Sequence, residues 1–122
     1  KLIAVKLMQI PERVTRKHYS VHEGKHFFES AVKYLSSSPS MLMVWEAEGF
    51  IEMVRRIRGS TSGFEAAPGT VRGDFGCSKG YNLIHGSDSP ESAEYEIGLY
   101  FKPEEIIDYD FAYSAWLCGK NV

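Results

Sequence analysis

The chain has 122 residues, 43% of them hydrophobic and 25% charged, with a formal net charge of -2. That length supports one domain, residues 1–122, burying about two thirds of the surface its unfolded form exposes. The composition excludes disordered and fibrous classes, and the near balance of charge excludes a global pull toward nucleic acid or anionic membranes. Cys77 and Cys118 stand far apart in the chain without C-x-x-C spacing, which reads as free thiols in a reducing compartment. No basic leader with a cleavage site is present and no apolar run approaches the roughly 18 residues of a membrane span, so the expected location is cytoplasmic.

Residues 2–10 alternate and are rich in Ile, Leu and Val, predicting a strand that Pro11 ends, with Lys6 facing solvent. From Pro11 to Leu35 the period becomes helical in two pieces separated by Gly24: first Val14, His18 and Val21, then Phe27, Phe28, Ala31, Val32 and Leu35. This predicts a helical hairpin. SSSPS (36–40) reads as a turn, and MLMVWEAEG after it as a second strand with Val44 and Trp45 in its apolar centre. Phe50, Ile51, Val54 and Ile57 then mark a third helix that stops before Gly59. Residues 59–80 hold six glycines and little periodicity, which reads as a long functional loop. YNLIHG (81–86) predicts a short strand. Ser89 is placed to cap a helix with Pro90 at its first position and with Ala93, Ile97, Tyr100 and Phe101 turned inward, ending before Pro103.

Three stretches carry candidate chemistry. HEGKH (22–26) spells a zinc-peptidase motif, which requires both histidines on one helical face. Gly24 falls between them at the break of the hairpin, so a solvated turn is the stronger reading even with His18 at the same interval. The run RRIR (55–58) is either the polar side of a helix or, with Arg72, the source of two guanidinium forks for a phosphate. NLIHGSDS (82–89) sets His85 at a strand-to-helix junction, with Ser87 and Asp88 next and Glu96 two turns into the following helix. An ordinary imidazole titrates near about 6.5, so at cell pH it can act as a nucleophile while a carboxylate orients its other nitrogen.

PGTVRGDFG (68–76) and NLIHGSDSPESAEYEIGLYFKPEEIIDY (82–109) closely resemble nucleoside diphosphate kinase, whose signature N-x-x-H-G-S-D-S is read here from Asn82 to Ser89. The resemblance runs from about residue 1 to 119. It implies an α+β, ferredoxin-like antiparallel sheet covered by helices, and transfer of the γ-phosphoryl group of ATP to a nucleoside diphosphate through a phosphohistidine. His85 matches the nucleophile, Glu96 and Ser87 the groups that position it, and Tyr19 a residue beside it. Arg55, Thr61 and Arg72 match the phosphate contacts, Asn82 the ribose contact and Phe27 the aromatic under the base. The resemblance further implies Mg²⁺ carried by the nucleotide phosphates, no protein metal cage, a homohexamer, and no nucleic acid as main partner.

The chain departs from the family pattern in three places. It starts at what matches the family's second strand, so the first strand, a K-P-D-G lysine and the first helix, roughly 30 residues, are expected upstream of Lys1. Ser38 stands where glycine is common. Gly63 stands where the family usually has proline, which predicts a looser loop and a less stable oligomer. A non-catalytic nucleotide-binding module on the same fold is the alternative reading.

Overall fold

The computed structural model describes residues 1–117. Cys118 lies outside the described residues, and Cys77 is exposed and free. Strand β1 (Leu2–Gln9) pairs antiparallel with β2 (Pro39–Trp45), matching Val5 with Met43 and Leu7 with Met41. Between them lie helix α1 (Glu12–His18), a 3₁₀ turn (Ser20–His22) and α2 (Phe28–Ser36). Then follow α3 (Phe50–Arg58), α4 (Val71–Phe75), α5 (Pro90–Tyr100), a second 3₁₀ turn (Pro103–Glu105) and α6 (Ser114–Leu117).

The period-2 geometry of the strands gives the sheet two unlike faces. On one face Ala4 and Val44 pack with Phe101 at the end of α5, and Ile3, Leu42, Ile97, Tyr100 and Ile106 surround them. Val5, Leu7, Met41, Met43 and Trp45 occupy the other face and are exposed. Lys6 therefore does not face open solvent as its charge predicts. It shares the covered face with Ala4, lays its ammonium 4.6 Å from the Phe101 ring centroid and binds Glu105 Oε2 at 2.7 Å. Lysine tolerates this because its methylene stem packs while its head finds a partner at the rim.

The hairpin forms as its period predicts. Phe28 and Val32 of α2 are buried, as are Thr15 and His18 of α1. Val21 is 78% exposed, because the chain there turns through 3₁₀ geometry and Gly24 adopts φ +83°, outside any helix. Of HEGKH, His22 ends the 3₁₀ turn and His26 precedes α2, so no helical face carries both.

Two predicted segments differ. The loop after Gly59 contains α4, whose Thr70 side chain accepts from the Gly73 N–H at 3.0 Å; Gly73 and the short length hide this helix from periodicity. Residues 81–86 form no strand. The Ile84 N–H bonds to the Asn82 carbonyl at 2.9 Å around Leu83, whose φ is 73°, a strained γ-turn that takes these carbonyls out of any ladder. Gly63, expected to loosen its loop, is buried, and a Cβ there would stand 2.2 Å from the Gly76 carbonyl oxygen.

Candidate active site

Helix α5 sets the site because its start is fixed. Ser89 Oγ accepts from the Ser92 N–H at 3.1 Å, Ser92 Oγ accepts from the Ser89 N–H at 3.0 Å, and Pro90 opens the helix. From that start Glu96 folds back over the His85–Gly86–Ser87 segment. Both Glu96 carboxylate oxygens lie 3.0 Å from His85 Nε2, and the Ser87 hydroxyl donates to Oε2. Burial pushes the Glu96 carboxyl up, but the bonds from His85 and Ser87 and the charge of His85 outweigh it and hold it below the ordinary range. An ionised carboxylate only accepts, so Nε2 is the nitrogen that carries a proton, and in the neutral form of the ring the lone pair lies on Nδ1. The His85 side chain is 43% exposed, which leaves that nitrogen open to a ligand.

Behind it stands His18, at the end of α1. Its ring meets that of His85 edge to face with centroids 4.5 Å apart, its Nδ1 lies 2.9 Å from the Tyr100 hydroxyl, and its Nε2 is 3.8 Å from Glu96 Oε1. Burial, followed by the neighbouring His85, pushes His18 down to about 4, so it is neutral at pH 7. Sequence reasoning placed His18 on the apolar stripe with Val14 but gave it no part in the site. Its neighbour Tyr19 packs edge-on against the His18 ring, and burial with the Glu96 charge raises its phenol.

Arg72 is placed differently from a free phosphate fork. It is buried, with Nε donating to the Asn82 carbonyl at 3.2 Å, Nη1 to Gly59 at 3.2 Å and Nη2 to Ile84 at 2.6 Å. Asn82 in turn donates to the Thr61 carbonyl at 3.4 Å and to Lys79 at 3.1 Å, which brings Thr61 alongside. Arg58, which sequence reasoning left on the polar helix face, donates to the Gly86 carbonyl next to His85. Its spacing of three from Arg55 on one helix was the available signal. Arg55 is exposed and lines a groove of about 630 Å³ together with Ser87, Asp88 and the edge of β2. Phe27 is 39% exposed, with the rings of His22 and His26 edge-on to it.

A family model described as nucleoside diphosphate kinase matches residues 1–106. The chain belongs to the nucleoside diphosphate kinase family. Relatives of this kinase-family chain include the nucleoside diphosphate kinase of Roseiflexus sp. (strain RS-1), 45% identical over 117 residues, which are 96% of this chain and 78% of the relative. That of Bacillus anthracis is 46% identical, over 96% of this chain and 79% of its own length. Among solved structures, a Halobacterium salinarum nucleoside diphosphate kinase in complex with CDP superposes with a TM-score of 0.90 at 43% identity, covering 95% of this chain and 78% of that one. A family protein from Babesia bovis gives 0.91 at 37% identity, over 97% and 80%. The fold is accordingly α+β, an antiparallel sheet with helices.

Proposed function

We propose that this chain is a nucleoside diphosphate kinase that moves the γ-phosphoryl group of ATP to a nucleoside diphosphate in two in-line steps through His85. The observation that carries the reading is the clamp of His85 Nε2 by Glu96 on an exposed ring, which leaves Nδ1 as the nitrogen that accepts phosphorus when the ring is neutral. In the first step the Nδ1 lone pair forms the N–P bond as the bond from phosphorus to the β,γ-bridging oxygen breaks, and the diphosphate leaves with that electron pair. The imidazole becomes cationic, and the Glu96 carboxylate stabilises the charge through Nε2–H. In the second step a β-phosphate oxygen of the acceptor attacks phosphorus, and the N–P electrons return to His85.

Phosphoryl transfer asks for positioning and charge more than for acid-base chemistry. Arg55 and Thr61 take phosphate oxygens in this reading. Arg72 contributes its charge while its guanidinium braces the Asn82–Ile84 backbone. Asn82 contacts the ribose, Phe27 stacks on the base and Tyr19 walls the histidine. A stacking contact accepts every base, so broad nucleotide use follows. Mg²⁺ prefers oxygen ligands; carried by the nucleotide phosphates, it would neutralise their charge.

A homohexamer in the cytoplasm belongs to the same reading. The exposed face of Val5, Leu7, Met41, Met43 and Trp45 is of the kind that protein contacts cover, and sedimentation velocity tests the assembly. The activity is tested by incubation with γ-labelled ATP. Acid-labile, alkali-stable label on the protein, absent in His85→Gln, supports the kinase; no label with intact nucleotide binding supports the non-catalytic module instead.

A further inference from the structure

The His18, His85 and Glu96 side chains do more than hold one another. Each offers one ligand atom, and these atoms lie within 4.8 Å of one another. Glu96 Oε1 is 3.0 Å from His85 Nε2 and 3.8 Å from His18 Nε2. Four-coordinate Zn²⁺ with bonds near 2.0 Å requires ligand atoms about 3.3 Å apart, so the two spacings from Glu96 bracket the required one. His18 Nε2 has no hydrogen-bond partner among the described residues, while its Nδ1 already faces the Tyr100 hydroxyl at 2.9 Å. With the proton on Nδ1 donated to Tyr100, the outer contact fixes the tautomer that aims an Nε2 lone pair inward.

We propose that His18 Nε2, His85 Nε2 and Glu96 form an inhibitory site for a borderline-soft divalent cation of the Zn²⁺ class, separate from Mg²⁺ on the nucleotide. Two imidazoles and one carboxylate match the donor set that Zn²⁺ favours and that Mg²⁺ avoids. The 43% exposure of the His85 side chain leaves room for water as a fourth ligand.

The consequence rests on the proposed phosphohistidine reading. When Zn²⁺ takes His85 Nε2, the proton leaves that nitrogen and a neutral ring carries one on Nδ1 instead. The lone pair that accepts phosphorus is then gone. Zn²⁺ silences the site by tautomer selection, without competing for nucleotide.

The test is calorimetric titration of the full chain with Zn²⁺ at neutral pH with Mg²⁺ in excess, beside ¹⁵N spectra of the histidine rings. The expected result is one Zn²⁺ per chain, with the Nε2 signals of His18 and His85 displaced and those of His22 and His26 unmoved. Binding weakens at least tenfold in His18→Gln and in Glu96→Gln, two variants that guard against one failing to fold. Absence of binding, unchanged affinity in both variants, or displacement at His22 and His26 overturns the proposal. Zn²⁺ binding without any phosphohistidine would leave the metal site standing and remove the kinase reading; label on His85 without Zn²⁺ binding would do the reverse.

Discussion

Arg72 Nη2 donates to the Ile84 carbonyl at 2.6 Å, immediately before His85, so the backbone that presents the imidazole hangs on a buried cation. The same guanidinium holds Asn82 and Gly59. Lysine keeps the charge but has no planar fork, and Arg72→Lys leaves at least two carbonyls and a buried ammonium poorly paired. The expected cost is about 2–4 kcal/mol. Denaturant midpoints of the two proteins check it; equal midpoints would show that the fork braces nothing.

Glu96→Gln is isosteric and removes the charge that receives His85 Nε2–H. A charge-assisted hydrogen bond contributes about 1.5–3 kcal/mol, so transfer is expected to slow by about ten- to a hundredfold. Ser87→Ala removes only the hydroxyl donor to Glu96 and is expected to slow transfer by less than Glu96→Gln. Rapid-mixing measurement of the first half-reaction reads both. A Glu96→Gln rate within twofold of wild type would detach the clamp from the chemistry.

The elements that form by local rules were legible. The Ser89 and Pro90 start of α5 and the alternation of β1 follow from capping and period alone, and both stand where expected. What sequence hid are arrangements decided at a distance. Residues 81–86 read as a strand because Leu83 and Ile84 are apolar, yet Arg72, on the separate helix α4, captures the Asn82 and Ile84 carbonyls and Leu83 turns to positive φ. Lys6 read as solvated because its partners, Phe101 and Glu105, arrive from the far end of the chain. Within the site, His85, Ser87 and Glu96 were legible as a spacing, whereas His18 and Arg58 enter only through tertiary packing.

The Tyr100 phenol is raised above its ordinary value of 10.0 by burial first and by the Glu96 charge second. The unfolded chain thus releases this proton before the folded one does. Its contribution to stability is full below about pH 10 and is lost as pH rises through the folded value, at about 1.4 kcal/mol per unit. Tyr100→Phe removes that slope. It also costs about 1 kcal/mol at pH 8 through the lost contact with His18. Urea denaturation at pH 8 and at pH 10.5 compares the slopes, and an identical alkaline loss in the variant would assign it elsewhere.

Gly63 stands where the family pattern favours proline, and stiffening it looks from sequence like a route to stability. The packing predicts the opposite. A Cβ at this position meets the Gly76 carbonyl oxygen at 2.2 Å and its carbon at 2.5 Å, so two backbone segments must separate to admit it. Gly63→Ala is expected to destabilise by about 1–3 kcal/mol, the usual range for overpacking, and Gly63→Pro by at least as much. Gly80→Ala is the control, because nothing lies within 4 Å of its Cβ position. There a loss of unfolded-state entropy is expected to leave stability unchanged or raise it by up to about 1 kcal/mol. Thermal unfolding of the three variants separates the cases, and a Gly63→Pro protein that melts above wild type would refute the close approach of these two segments.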